Sequence, residues 1–278
     1  MRSKLVAMTD DVAQWPPSDL DFSKPTIARA YDALLGGKNN FEADRALAEH
    51  AIQHIPGLRE SAIENRKVLV RGVRWLAGEA GIDQFLDLGS GLPTQTNTHE
   101  VAQAQNPDAK VLYVDIDPLV AVHGRALLAE NANTRVAVGD VRDPDAILAL
   151  PEASGFLDLD RPLALMLVGM LHYLSPEIAD DVVGRLRDAL APGSYLFMTS
   201  LVDTGVPAQQ ELARITRENL EEGYARTPEE IEHHFGDFEL VEPGVVFTAL
   251  WRPDEPVDPD NLSPGEQLGM AGIALKKR

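Results

Sequence analysis

Five short apolar runs between Gln84 and Ser200 limit what this chain can fold into. They span 85–88, 111–114, 135–138, 163–168 and 195–199, and amphipathic stretches separate them at 94–105, 118–131, 144–150 and 176–190. Each run is continuous rather than alternating, as expected of a strand whose two faces are both covered. Strands of that kind, each followed by a helix, build a mostly parallel sheet with helices on both sides and right-handed crossovers. The expected fold class is α/β.

The flanks differ from this rhythm. Residues 1–24 are polar and proline-bearing and predict an arm. Ser23 and Pro25 signal a helix start, Ile27, Ala30, Tyr31, Leu34 and Leu35 follow at helical spacing, and Gly36-Gly37 ends it. Two more helices are predicted over 41–53 and 58–79, giving a helical cap over 25–80 and a ligand-binding α/β portion over 81–278 that forms one unit with the cap. Late in the chain, helices are predicted at 207–222 and 228–235. "FELVEPGVVFTALWRP" and "GMAGIALKK", joined by the link "RPDEPVDPDNLSPGE", predict an antiparallel pair at the sheet edge.

A formal charge of −19 disfavours phosphate backbones and anionic lipid as partners. With no cysteine there is no thiolate nucleophile or thiolate metal site, and no other spacing proposes a metal. "MRSKLVAMTDDVAQWPP" has no secretory apolar core, and the apolar run 163–174 is shorter than the ~20 residues that span a bilayer. The expectation is a cytoplasmic protein with a small-molecule partner, no nucleic acid and no membrane.

In an open parallel sheet, ligands bind beyond the carboxyl ends of the strands. The first strand ends in Asp87-Leu88-Gly89-Ser90-Gly91, a turn whose glycines permit close backbone approach and which feeds a helix N-terminus. Such a turn also occurs without any ligand. The second ends in "VDIDP". Asp115 lies 24 residues after Gly91, near the spacing at which a carboxylate meets a ribose diol, and Ile116 can pack on an adenine face. Asp117, before Pro118, reads as a helix cap. The third ends in "VGDVRDP". There Asp140 either accepts adenine's exocyclic amine, with the Val141 N–H on a ring nitrogen, or only stabilises its loop as an Asx turn, while Asp143 reads as a cap. The fourth ends in "LVGMLHYLSPE". Gly169 permits close approach, and His172 and Tyr173 are candidate catalytic groups or, alternatively, packing residues. The set in order fits a nucleoside ligand across the strand ends.

The sequence resembles the class I S-adenosylmethionine-dependent methyltransferases. "FLDLGSGLP" looks like their glycine motif, "VLYVDIDP" their ribose motif, "VAVGDVRDP" their adenine motif and "LALMLVGMLHYLSP" their fourth-strand motif. Pro93 and Thr94 depart from the more flexible glycine turn common elsewhere. Nearly the whole chain, through "PTIARAYDALLGGKNNFEAD", "ENRKVLVRGVRWLA", "GLPTQTNTHEVAQ" and "ELVEPGVV…WRP", resembles a bacterial methyltransferase-like family long catalogued as a domain of unknown function. The resemblance implies a Rossmann-like, mostly parallel seven-stranded sheet with helices on both faces and an N-terminal helical cap. Its last strand would be antiparallel and formed by "AGIALKK". The implied cofactor is S-adenosyl-L-methionine. Gly89, Ser90 and Gly91 would lie against its methionine part and Asp87 near its amino group. Asp115 would hold the ribose and Ile116 the adenine face, with Asp140 and Val141 at the adenine edge. Val168, Gly169 and His172 would border the transferable methyl.

The helical segment leaves several readings open. "LLGGKNNF" is either a connector or a lid whose Lys38 or Asn39 touches a ligand. Lys67, Arg71 and Arg74 read as a solvated helix face, unless Asn65 and Arg66 turn inward to hold the cofactor carboxylate. Tyr31 is core or lines an acceptor site; His233 and His234 read as surface or packing residues. Asn97, His99 and Glu100 cap and solvate a helix that Pro93 starts, outside the site. Three activities fit: methyl transfer to a small-molecule acceptor, binding of S-adenosylmethionine or S-adenosylhomocysteine without catalysis, and nicotinamide-dependent oxidoreduction. Thr94 at the third glycine position and Asp140 disfavour the last.

Overall fold

The structure is a computed structural model that describes residues 21–93, 96–128 and 131–277; Thr94 and most of the expected arm lie outside these. Three helices come first: α1 (Ile27–Leu34), α2 (Glu42–His54) and α3 (Leu58–Gly78). Strands and helices then alternate as β1 (Gln84–Leu88), α4 (Thr98–Gln105), β2 (Lys110–Asp115), α5 (Pro118–Leu127), β3 (Thr134–Val138), α6 (Pro144–Leu148), α7 (Pro151–Ser154), β4 (Ala164–Val168), α8 (Pro176–Ala189) and β5 (Tyr195–Leu201). The chain closes with α9 (Pro207–Leu220), α10 (Pro228–His233), β6 (Glu239–Leu240), β7 (Val246–Phe247) and β8 (Gly269–Leu275).

One sheet holds all eight strands in the order β3-β2-β1-β4-β5-β8-β6, with β7 also on β8. The first five strands are parallel, and β8 runs antiparallel to β5 over 195–201. The final strand is where the sequence puts it. The count is eight rather than seven because the stretch around Pro243-Gly244 breaks into two two-residue strands, proline being unable to donate to a ladder.

Both sheet faces are covered, as the continuous apolar runs require. Leu86 and Leu88 face α6, α7 and α8, meeting Ile147, Ala153, Val182 and Leu186, while Phe85 on the other face joins Val68, Leu69, Val73 and Leu76 of α3. The alternation along β1 is hidden in the sequence because both sets are apolar. α3 was expected in the cap; instead its apolar stripe packs on the sheet with Phe197 and Trp251. The cap over the strand ends is α1 and α2 together with the later α9, joined through Ala51, Leu58, Ile215 and Leu268. Neither Arg71 nor its acceptors fit a solvated face. Arg71 is buried and donates to both Glu64 (3.0 Å) and the carbonyls of Trp251 (2.9 Å) and Thr248 (2.7 Å). The segment that covers it lies ~180 residues on, beyond any local pattern. Lys67 is exposed and Arg74 pairs with Asp254 at the surface, as read. The helix predicted from residue 94 starts at Thr98, so Pro93 lies in the loop before it rather than in its first turn.

Candidate functional site

Order β3-β2-β1-β4 places the switch of chain direction between β1 and β4, and a cavity of about 790 Å³ opens there between the carboxyl strand ends and the cap. It is bordered by Asp87, Gly89, Ser90, Gly91, Asp115, Ile116, Asp140, Val141, Val168, Gly169, His172 and Tyr173, and by Arg66 from α3. The candidate residues at the four strand ends, together with Arg66, therefore border one cavity.

The glycine turn is shaped by sterics and by Asp115. Gly89 has φ +68°, and a Cβ there would lie 2.0 Å from the Met170 sulfur. The Gly89 N–H donates to the Val114 carbonyl at 2.8 Å. The Gly91 N–H donates to Asp115 Oδ2 at 2.8 Å, and the Asp117 N–H to Asp115 Oδ1 at 2.9 Å. One carboxylate thus braces both turns, and each oxygen keeps a lone pair for a further donor. Burial pushes the Asp115 carboxyl up from its ordinary value, and the two N–H bonds work against that. Ile116, between the braced turns, is 55% exposed and offers an apolar surface beside that carboxylate.

Asp87 is buried on β1 and accepts the Thr98 hydroxyl at 2.8 Å. Burial raises its pKa to about 6 against the opposing Thr98 bond and Arg66 charge; Asp115 adds to the rise. Arg66 donates from Nη2 to the Thr96 carbonyl at 2.8 Å. Among the described residues its Nε and the Ser90 Oγ are buried without a hydrogen-bond partner, though both residues border the cavity. Unmet donors of this kind call for an acceptor.

Asp140 has a partner of its own. Arg142 grips it as a fork, from Nε at 2.9 and 3.0 Å and from Nη2 at 2.7 Å, and the Arg142 N–H closes an Asx turn at 3.0 Å. These bonds hold its carboxyl below the ordinary value. Asp140 borders the cavity, but the loop-stabilising reading accounts for its contacts. Asp143 caps α6 and Asp117 caps α5 as expected.

His172 and Tyr173 sit in a 3₁₀ turn after β4, their rings 4.2 Å apart. The Leu201 N–H donates to His172 Nδ1 at 3.4 Å, so the proton of the neutral ring is on Nε2. Burial, then the Arg226 charge, pushes His172 down to about 3. As a proton acceptor near neutral pH it is therefore unsuited; it is a neutral donor through Nε2. Buried Arg226 grips the Leu171 and Leu174 carbonyls at 2.7 Å each and so fixes that turn. Burial pushes the Tyr173 phenol up, which leaves it protonated at neutral pH.

A directed chain of hydrogen bonds joins strand ends to cap. Gly169 N–H donates to Thr199 Oγ1 (2.7 Å), Thr199 to Asn65 Oδ1 (2.7 Å), Asn65 Nδ2 to the Tyr31 hydroxyl (3.1 Å), and Tyr31 to the Ala62 carbonyl (3.0 Å). Gly169 has φ +73°, and a Cβ there would approach Asn65 Nδ2 to 3.3 Å. A second link runs from the Thr26 hydroxyl to Asp117 at 2.9 Å; Thr26 also caps α1 and receives the buried Arg29 at 3.0 Å, itself paired with buried Asp44 at 3.3 Å. Sequence reading missed Thr26, Arg29, Asp44, Thr199 and Arg226, whose partners are brought together only by the fold. The 36–40 connector is no lid. Buried Asp32 accepts the Asn39 N–H (2.9 Å) and the Asn40 amide (2.7 Å), and neither Lys38 nor Asn39 borders the cavity. Glu100 caps α4 by accepting the Asn97 N–H, and His99 packs on Tyr113, both outside the cavity. His234 is buried and His233 exposed, both near Asp180.

Among the described residues no helix is long and apolar enough to cross a membrane, and no three acidic or histidine side chains form a metal cluster.

A doubly wound sheet with an antiparallel closing strand, an acidic residue after β2 and a cavity over β1 and β4 define a Rossmann-like methyltransferase fold. Comparison with known proteins gives the family: the S-adenosyl methyltransferase family model matches residues 13–277, and the chain belongs to that family. Its cofactor is S-adenosyl-L-methionine. A crystal structure from Thermobifida fusca YX described as a methyltransferase is 78% identical, with a TM-score of 0.93 over 95% of this chain and 100% of that one. A DUF574 family protein from Streptomyces avermitilis is 36% identical, with a TM-score of 0.86 over 92% of this chain and 99% of that one. A Mycolicibacterium paratuberculosis protein described as an S-adenosyl-L-methionine-dependent methyltransferase is 34% identical over 149 residues, 50% of this chain and 45% of its own length. The chain thus matches less than half the length of that curated relative.

The cavity fits the cofactor's polar groups one by one. An amino-acid end offers a carboxylate, which the unmet Arg66 Nε and Ser90 Oγ need, and an ammonium, which suits Asp87. A ribose diol offers two donors, for which both Asp115 oxygens keep capacity.

Proposed function

We propose that this protein transfers a methyl group from S-adenosyl-L-methionine to a small-molecule acceptor in the cytoplasm. One observation carries the reading: unmet donors, a buried carboxylate, a diol-ready carboxylate and an exposed isoleucine border one cavity, one for each of the cofactor's carboxylate, ammonium, ribose and adenine. Asp87 would take the ammonium, Arg66 and Ser90 the carboxylate, Asp115 the ribose and Ile116 the adenine face, with Val141 and Asp140 at its edge. When bound, the cofactor supplies a methyl on a sulfonium, ready for attack by an acceptor lone pair with the C–S electron pair left on sulfur. The chain's own part is to orient and to exclude water; orientation contributes up to roughly 7–11 kcal/mol in such a step. Val168 and Gly169 border the reacting end, and the Thr199–Asn65–Tyr31 chain holds the cap over it. His172 and Tyr173 take positioning roles as donors, since neither is suited to accept a proton at neutral pH. The acceptor must then lose its proton to solvent or carry none.

Competition between labelled S-adenosylmethionine and labelled nicotinamide dinucleotide in one binding assay tests this. Saturable binding of the first alone is expected; saturable dinucleotide binding without it would overturn the reading. Methyl transfer demands no particular catalytic residue, so a non-catalytic binder is the second reading, and a turnover screen with methyl-labelled cofactor separates it from an enzyme.

A further inference from the structure

The cavity is chemically two-sided. The strand ends and their neighbours, where the proposed function puts the cofactor, carry Asp87, Asp115, Asp117, Asp140, Arg142 and Arg66. Asp21 and Lys24 before α1, Arg29 within it and Glu221 and Glu222 past α9 also border the cavity. The cap side is walled by Leu34 of α1, Leu47 and Ala51 of α2, Leu58 of α3, and Leu212 and Ile215 of α9. These side chains pack together with Leu268 as one apolar cluster.

Arg29 of α1 borders the cavity but is held by Thr26 and Asp44. Arg214 of α9 pairs with Glu211 and Glu218 at the surface, Arg217 turns to the Gly223 carbonyl, and Asp44 is held by Arg29. His50 and His54 of α2 are exposed, their rings tilted against each other at 4.3 Å. Polar side chains beside this apolar wall are neutral. Thr216 donates to its own helix at the Leu212 carbonyl, Tyr31 to Ala62, and His172 presents an uncharged ring. Against this apolar wall an anion would meet no cation and an ammonium no carboxylate. Either would lose its hydration there without gaining a partner, which is unfavourable. The carboxylates of Glu221 and Glu222 border the cavity past the end of α9, where Glu222 acts on Arg142.

We propose that the cap chamber is the acceptor subsite and that it selects an uncharged, predominantly apolar small molecule over acids, phosphates and amines of the same size. The proposal rests on the cofactor reading for the other half of the cavity. Binding, not turnover, tests it. The protein is saturated with S-adenosylhomocysteine and titrated calorimetrically near neutral pH with 2-naphthol, 2-naphthoate and 2-naphthylmethylammonium, which share one apolar body. We expect 2-naphthol to bind at least about tenfold more tightly than either ion. Leu212→Lys, on a half-buried wall position, should shift the naphthoate-to-naphthol affinity ratio by about tenfold or more toward the anion, with S-adenosylhomocysteine affinity unchanged. Thr216→Lys, one turn on and also half-buried, guards against a misfolded first variant and should shift the ratio the same way. Equal or tighter binding of an ion, no binding of any probe, or an unmoved ratio in folded variants would overturn the proposal. If S-adenosylhomocysteine itself fails to bind, the cofactor reading falls. The same probe series on the ligand-free protein then decides the chamber's preference by itself.

Discussion

Burial and charge are opposed at Asp87. Its carboxyl gains nothing from water, only a hydroxyl from Thr98, and its pKa rises to about 6. A raised folded pKa means that the group's contribution to ligand-free stability is fully present below the unfolded value of 3.8 and is lost as pH rises through about 6. A bound ammonium reverses the preference, because it favours the carboxylate. S-adenosylhomocysteine affinity should therefore weaken as pH falls below about 6, and Asp87→Asn should flatten that dependence while lowering affinity at neutral pH. Calorimetry across that window reads both, and a pH-independent wild type would refute the ammonium role. His172 gives the complementary case. With its pKa near 3, its ring resonances should not titrate between about pH 5 and 8 by NMR; a midpoint in that range would restore it as a base. Asp87, Asp115 and Ile116 are legible in the sequence because each stands on a strand end, next to the run that defines the strand. Arg71 and Arg29 are not, because their burial depends on partners far along the chain or across a helix pair.

Elements carry the connection between cap and sheet. α1 holds to the sheet side through Tyr31–Asn65–Thr199–Gly169 and through Thr26–Asp117. Asn65→Ala removes the middle of the first chain and leaves the Thr199 and Tyr31 hydroxyls short of a partner each, a loss of roughly 1–3 kcal/mol. Denaturant unfolding should show that loss, and amide exchange in 27–34 should quicken more than in β1; a uniform change, or none, would remove the chain as the tie. The strand and helix rhythm of 84–201 could be read directly from hydrophobic runs. The assignment of α3 to the sheet layer and α9 to the cap could not, since both helices are amphipathic and amphipathicity does not say which surface lies opposite. Likewise the Gly36-Gly37 turn reads as a possible lid until Asp32 is seen to hold it shut.

At the scale of the whole molecule, charge sets how ligands arrive. The chain carries a formal −19, S-adenosylmethionine a net positive charge and S-adenosylhomocysteine none. Raising salt toward the ~10 Å Debye length of 0.1 M should slow association of the first more than of the second. Stopped-flow association rates read the difference, and equal salt slopes would mean that the acidic surface steers nothing. The cavity, by this reading, is built around Asp115 to hold an adenosyl cofactor. Calorimetric titration with S-adenosylhomocysteine, on wild type, Asp115→Ala and Asp115→Asn, tests it most directly. Saturable one-to-one binding to wild type is expected, with a loss of at least about tenfold in Asp115→Ala and a smaller loss in Asp115→Asn, which keeps one acceptor oxygen for the braced turns. No binding to wild type, or the same affinity in all three folded proteins, would contradict it.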